Sequence, residues 1–263
     1  MKKISTHVLK EMKDNNDKFA VVTAYDYAFS KIISNANIEV SLVGDSLGNV
    51  FQGRSTTIPV TVEEMAYHMS AVHRGNKNSL LVCDMPFMSY SSVTDTLQNA
   101  AKLVQAGAQM IKVEGGEWLA ESVYKLSQCG IPVCGHVGFT PQSVNKIGGN
   151  KVQGNDKSVA EKIVRDALVL EDAGADLLVV ECVPSCLGAD LTKALSIPVI
   201  GIGAGPDTDG QVLVSYDILG LSDRLPRFAK NFLNESSSIQ EAIALFGNDV
   251  RNGLFPGPDN CFK

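Results

Sequence analysis

Ala106-Gly107-Ala108-Gln109-Met110-Ile111-Lys112-Val113-Glu114 and Ala173-Gly174-Ala175-Asp176-Leu177-Leu178-Val179-Val180-Glu181 share one construction. Each begins where an amphipathic stretch stops at a glycine, turns within a few residues, and enters a short apolar run that ends on a glutamate. Glycine supplies the left-handed conformation that ends a helix, and a short continuous apolar run suits a strand buried on both faces. Helix, tight turn and buried strand, repeated in that order, describe parallel strands joined by crossover helices.

The alternation extends along the chain from Phe19, with no low-complexity linker or shift in composition to divide it. Strand candidates are Phe19 to Thr23, Val40 to Val43, Leu80 to Cys83, Met110 to Val113, Pro132 to Gly135, Leu177 to Val180, Pro198 to Ile202 and Gln211 to Val214. Eight such runs match a (β/α)8 TIM barrel, and 263 residues lie near the ~250 typical of that fold. A doubly wound open sheet also alternates strand and helix, so the barrel rests on the count and on where the charged residues fall. Thr61 reads as the cap of a helix opening at Val62-Glu63-Glu64, and helices are predicted over Thr94 to Gln105 and Ser158 to Asp172. Beyond Gly220 two further helices are predicted, Pro226 to Leu233 and Ser238 to Val250, before an irregular tail from Gly253. The whole chain, 1–263, thus reads as one domain in which 221–263 is a C-terminal helical extension expected at subunit contacts.

With 44% hydrophobic and 20% charged residues the chain can bury a large core. Its net charge of -6 and lack of a basic cluster argue against nucleic acid as a partner. The N-terminus has no apolar leader, and no segment approaches the ~18–20 apolar residues of a membrane span, so a cytoplasmic protein is expected. The six cysteines form no CxxC pair and read as reduced, packed thiols; Cys182 and Cys186 have no further ligand nearby to complete a zinc site.

Chemistry is signalled at the strand ends. Asp45, Asp84, Glu114 and Glu181 each follow a strand run, and in a parallel barrel all strand C-termini open on the one face that carries active sites. Converging carboxylates repel one another and need a cation, shared protons or water. Oxygen donors favour Mg2+ or Mn2+ over zinc, with Mg2+ the first choice. For any one of these acids alone, a helix cap or ion pair is the plainer reading. Lys112, two residues before Glu114, points into the same mouth, where it can bind a substrate carboxylate or act as a Schiff-base lysine. His136 ends the fifth run and faces the mouth as well, whereas His68 and His73 suit packing or surface positions on the helix after Thr61. Gly201-Ile202-Gly203-Ala204-Gly205 follows the seventh run and fits close backbone approach to a ligand or tight barrel packing. Because a turn follows it rather than a helix, a dinucleotide site is disfavoured.

From Thr23 to Phe232 the chain resembles the ketopantoate hydroxymethyltransferase family. The resemblance is carried by Thr23-Ala24-Tyr25-Asp26, Val43-Gly44-Asp45-Ser46-Leu47-Gly48, Asp84-Met85-Pro86-Phe87, Lys112-Val113-Glu114-Gly115-Gly116, Gly135-His136-Val137-Gly138-Phe139-Thr140-Pro141-Gln142, Glu181-Cys182-Val183-Pro184 and Ile200 to Gly205. It implies a barrel, commonly assembled as a homodecamer, that transfers a hydroxymethyl group from 5,10-methylenetetrahydrofolate to 3-methyl-2-oxobutanoate in pantothenate synthesis. Asp45, Asp84 and Glu114 match the family's Mg2+ site, one ion per subunit, with Glu114 often acting through water. Asp45, Ser46, Asp84 and Lys112 match its 2-oxo acid site, and Glu181 matches its proton acceptor. One departure stands out: Arg54-Ser55 occupies a place where the family usually has His or Tyr followed by Asp. Two rival readings share many of these features. One is a related metal-dependent barrel acting on pyruvate-like or phosphoenolpyruvate-like acids, separated by folate dependence; the other is a non-catalytic metabolite-binding barrel, separated by turnover.

Overall fold

Alternation within each strand decides which side chains meet on the barrel axis and which face the helices. The computed structural model describes residues 3–263, so residues 1 and 2 of the expected domain lie outside the described residues. Its strands are β1 (Phe19–Thr23), β2 (Val40–Val43), β3 (Leu80–Asp84), β4 (Met110–Glu114), β5 (Val133–Gly138), β6 (Leu177–Glu181), β7 (Val199–Ile202) and β8 (Gly210–Leu213). Every neighbouring pair is parallel, and β8 closes on β1 through Val21 opposite Val212. Closure excludes the open doubly wound sheet.

Val21, Val40, Leu42, Leu80, Val82, Met110, Leu177, Val179, Ile200 and Val212 form an apolar cluster along the barrel axis. Their neighbours one residue along, such as Val22, Leu81, Ile111, Leu178 and Val199, join a second core beneath the helices. This period of two also sends Asp84, Lys112, His136 and Glu181 inward, each two residues beyond an axial residue of that cluster, and Glu114 inward two residues beyond Lys112.

The helices are α1 (Thr6–Asp14), α2 (Tyr27–Asn35), α3 (Leu47–Val50), α4 (Val62–Gly75), α5 (Val93–Gln105), α6 (Ala120–Gln128), α7 (Val144–Ile147), α8 (Lys157–Asp172), α9 (Ser185–Ala194), α10 (Ser215–Ile218) and α11 (Ile239–Arg251). The helices expected at 94–105 and 158–172 are α5 and α8, capped by Ser92 and Asp156. Sequence patterning from Phe19 onward misses α1, which closes the N-terminal end of the barrel by inserting fully buried Leu9 into the axial cluster. No helix joins β7 to β8. Instead Asp209 in that connection accepts hydrogen bonds from the Val199 N–H (2.8 Å) and from Lys13 Nζ of α1 (2.8 Å).

The expected helix at Pro226–Leu233 does not form. Residues 226–231 run irregularly, and only a short 3-10 turn follows at Phe232–Glu235. Phe228 and Phe232, four apart, would share one helix face, but they serve different sites. Phe228 lines the barrel mouth, while Phe232 packs edge-on against Phe246 and Phe255, each 5.5 Å away. The second expected helix is α11, with Ser238 as its cap. Arg251 at its end binds Glu39 Oε1 at 2.8 Å, and Glu39 Oε2 accepts the Ala20 N–H of β1 at 2.9 Å.

Thr61 closes a full capping box on α4. Its hydroxyl accepts the Glu64 N–H, and the Glu64 carboxylate accepts the Thr61 N–H. Thr61→Ala is expected to lower stability by about 1 kcal/mol, measured as a shift of the urea midpoint at constant slope.

Candidate active site

The mouth of the barrel holds a cavity of about 620 Å³ whose lining includes Asp45, Ser46, Asp84, Lys112, Glu114, His136 and Glu181. These residues form an arc: Asp45 and Ser46 just past β2, Asp84 ending β3, Lys112 and Glu114 on β4, His136 on β5 and Glu181 ending β6. In an eight-stranded barrel β2 and β6 lie opposite one another, which puts Glu181 across the mouth from Asp45.

Lys112, only 5% exposed, donates to Asp84 Oδ1 at 2.7 Å and lies 3.8 Å from Glu114 Oε1. Register sets the pair, because Lys112 on β4 lies opposite Asp84 on β3. The other Asp84 oxygen accepts the Asp45 N–H at 3.0 Å. Ser46 meets Tyr25 through their hydroxyls at 2.9 Å. Burial works to lower the Lys112 pKa, but Asp84, Glu114 and Asp45 outweigh it and carry it above its usual value. Burial, with repulsion from Glu114 and Asp84, pushes Asp45 well above the usual carboxylate range, and burial pushes Glu114 up to about 7.

Two further residues organise this wall. Gln142, past β5, donates from Nε2 to Asp45 Oδ2 (2.8 Å) and to the Met85 carbonyl (2.9 Å), and its backbone N–H donates to Glu114 Oε2 (3.0 Å). Tyr90 in turn donates to Gln142 Oε1 at 2.5 Å. Sequence reasoning quoted Gln142 only as part of a motif and missed Tyr90. A polar residue just past a barrel strand, behind Pro141, was the available signal for Gln142, whereas Tyr90 carried none.

His136 moves from a secondary candidate to the middle of the arc. Its ring is 2% exposed, with Nδ1 3.4 Å from Glu114 Oε1 and Nε2 3.3 Å from Glu181 Oε2, yet neither contact has hydrogen-bond geometry. Burial and the Lys112 charge hold its pKa below the usual histidine value. Glu181 is pushed up by burial, with His136 opposing. Gly138, at φ +91°, sits opposite Glu181 in the ladder, and a Cβ there would fall 2.4 Å from the Glu181 carbonyl oxygen. Only glycine lets β5 turn off so close to Glu181.

The other sequence candidates fall outside this arc. His68 is buried and bonds the Tyr25 carbonyl at 2.6 Å, and His73 is exposed. All six cysteines are free thiols, but Cys129 and Cys186 are exposed rather than packed. The glycine run packs tightly: Gly201 lies against Thr208, Gly205 against Ser185, and Gly203 under Phe228 and Phe262. Arg54 lies at the mouth, bound to Glu64 Oε1 at 2.6 Å.

Three buried carboxylates crowd around one ammonium on the wall between β2 and β4, a set of hard oxygen donors. Among the described residues, no three of His, Cys, Asp and Glu close into a cage for an ion. Such a wall suits a cation that takes few protein oxygens and keeps water around it, as Mg2+ does. The raised pKa values also fix a sign for stability without metal. Glu114 and Asp45 hold protons in the folded state that the unfolded chain releases above its ordinary carboxylate pKa. Stability is therefore fully present at low pH and falls as pH rises toward about 7, where Glu114 ionises. Melting curves in EDTA between pH 4.5 and 8 should show that decline, and its loss in Glu114→Gln would assign it to this site.

Fold and mouth together define a (β/α)8-barrel enzyme whose active face carries a carboxylate and lysine wall facing a glutamate. The sequence profile of the family described as ketopantoate hydroxymethyltransferase matches residues 3–258, and the chain belongs to that family. Relatives named 3-methyl-2-oxobutanoate hydroxymethyltransferase include one from Shewanella amazonensis, 52% identical with all of both chains covered, and one from Marinobacter nauticus, 51% identical with 99% of each covered. Similar solved structures include a phosphonopyruvate hydrolase complex with oxalate and Mg++ (TM-score 0.62, 13% identity, 99% of this chain and 93% of that one). Another is a 2,3-dimethylmalate lyase of the PEP mutase/isocitrate lyase superfamily (TM-score 0.59, 14% identity, 82% and 81%). At such identities they show a shared fold.

Proposed function

We propose that the enzyme transfers a hydroxymethyl group from 5,10-methylenetetrahydrofolate to 3-methyl-2-oxobutanoate, giving 2-dehydropantoate for pantothenate and coenzyme A synthesis. Water supplies the hydroxyl group, tetrahydrofolate leaves, and the C3–H bond of the keto acid is replaced by a C3–carbon bond. The observation that carries this reading is the pairing of the Asp45, Asp84, Lys112 and Glu114 wall with Glu181 on the opposite strand end, in a chain of this family.

Asp45, Asp84 and Glu114 would hold one Mg2+ per subunit, which when bound supplies Lewis-acid polarisation of the keto and carboxylate oxygens. Lys112 supplies a fixed positive charge for the substrate carboxylate, and Ser46 and the backbone beside it orient that end. Glu181 then takes the C3 proton. Burial raises its pKa, which makes Glu181 a stronger base than an ordinary carboxylate. His136, held neutral, fills the space between Glu181 and Glu114 without adding a charge to either. Leu221, Pro226 and Phe228 add apolar surface to the cavity lining. The same reading places the protein in the cytoplasm as a homo-oligomer, a decamer, with 221–263 contributing to subunit contacts.

The test is product formation. Purified protein with both substrates and Mg2+ should yield 2-dehydropantoate, seen by mass spectrometry, and the yield should vanish when folate or the metal is withheld. Turnover of a phosphoenolpyruvate-like acid without folate would favour the rival barrel instead. In melting curves, Mg2+ should stabilise more at pH 8 than at pH 5, because protons compete for the same oxygens.

A further inference from the structure

Gln142 is a neutral side chain set among charged ones. It is 5% exposed and belongs to no strand, yet it ties together groups at the ends of β2, β3 and β4. The chemistry derived so far gives it no part.

Local structure explains its reach. Gly138, at φ +91°, turns the chain off β5, and Pro141–Ser143 then form a single 3-10 turn. An N–H in the first turn of a helix has no partner within that helix. The Gln142 N–H is such a group, and it donates to Glu114 Oε2 on β4 at 3.0 Å. The side chain crosses the end of β3, where Nε2 donates to the Met85 carbonyl at 2.9 Å, and meets Asp45 Oδ2 past β2 at 2.8 Å. Both amide hydrogens are thereby used, and the amide oxygen accepts from the Tyr90 hydroxyl at 2.5 Å. Turned over, the amide would set its oxygen against a carboxylate and a carbonyl, so one orientation is favoured. Tyr90 is held in turn. Its ring stacks on Trp118, 6.0 Å between centres and 13° between planes, and Asn99 of α5 donates to the carbonyl of the preceding Ser89 at 2.7 Å. The Tyr90 hydroxyl, its proton given to Gln142, accepts the Glu114 N–H at 3.4 Å.

We propose that Gln142 is a positioning residue for the cation site: it fixes the spacing of Asp45 and Glu114 and so sets the preference for a small cation such as Mg2+ over a larger one such as Ca2+. The inference rests on the reading of Asp45, Asp84 and Glu114 as the Mg2+ site and adds the residue that holds them in place. Buried like charges from β2 and β4 repel and would turn apart if free to do so. Gln142 grips one oxygen of each acid and leaves Asp45 Oδ1 and Glu114 Oε1 to a cation or the water around it. Mg2+ demands short, near-octahedral contacts, whereas Ca2+ accepts looser and more variable ones. Loosening the two acids therefore costs Mg2+ more than Ca2+.

The test titrates Mg2+ and Ca2+ separately, by calorimetry, into full-length protein stripped of metal: wild type, Gln142→Met and Tyr90→Phe. In parallel, C3 hydrogen exchange of 3-methyl-2-oxobutanoate in D2O is followed as Mg2+ is raised. Gln142→Met keeps most of the volume and removes the amide. It should raise the Mg2+ Kd by ~10–100-fold, the range for lost support of a metal-binding group, and the Ca2+ Kd by less. Tyr90→Phe removes only a hydroxyl and should raise the Mg2+ Kd by about threefold to tenfold, the loss of one hydrogen bond; it keeps the test decisive if the methionine variant misfolds. At saturating Mg2+ both variants should exchange at close to the wild-type rate, because Glu181 is untouched. Unchanged Mg2+ affinity in both variants, or an equal loss for Mg2+ and Ca2+, would overturn the positioning role. A wild type that binds no Mg2+ is a different result: it would overturn the cation site on which the inference rests.

Discussion

Lys112→Met is expected to reduce folding stability by about 3–5 kcal/mol at pH 7 in the absence of divalent metal, the usual effect of removing one partner from a buried charge cluster. The side chain is 5% exposed, bonds Asp84 at 2.7 Å and sits near Glu114, and among the described residues no other cation touches these acids. Methionine keeps much of the volume and removes the charge, leaving Asp45, Asp84 and Glu114 to repel one another. The loss should therefore shrink at pH 5, where the remaining carboxylates take up protons, and shrink again with Mg2+ at pH 8. Denaturant titrations at the two pH values measure it. A loss of the same size at every pH would mean that packing, rather than charge, explains the buried lysine. Activity should fall too, chiefly as a raised KM for the keto acid, since the ammonium also faces the mouth.

The second large effect is on catalysis. Glu181→Gln should lower kcat by ~10²–10⁴, the range typical of a lost general base, with keto acid and metal affinity close to wild type. Glutamine preserves the shape beside His136 Nε2 and cannot accept the C3 proton. Burial raises the Glu181 pKa, so the acid limb of the wild-type rate profile should lie above the ordinary carboxylate value of 4.5 and disappear in the variant. Steady-state kinetics with binding measured separately would distinguish this from simple loss of substrate.

Much of this architecture was legible in the sequence because parallel strands buried on both faces leave an unmistakable pattern. The repeated Ala-Gly-Ala turns, the eight apolar runs and the acids that end them locate the strands and the active face together. The period of two correctly placed Lys112 and Glu114 on one side of β4. What escaped was set by tertiary structure. Phe228 and Phe232 have helical spacing, yet the chain between them must pass from the barrel mouth to the aromatic cluster of Phe246 and Phe255, and no helix does both. Tyr90 reaches Gln142 and the Glu114 carbonyl from a loop fifty-two and twenty-four positions away, a relation that no local pattern encodes. His136 was visible as an inward residue, but its place between two glutamates depends on the register of β4, β5 and β6.

The account turns on Glu181 removing the C3 proton of a keto acid held at the opposite wall. The most direct measurement is proton NMR of 3-methyl-2-oxobutanoate in D2O with Mg2+ and no folate, comparing wild type with Glu181→Gln. Decay of the C3 signal with wild-type protein, dependent on Mg2+ and lost in the variant, is the predicted result. Decay at an undiminished rate in Glu181→Gln would contradict the account and assign the proton to another base.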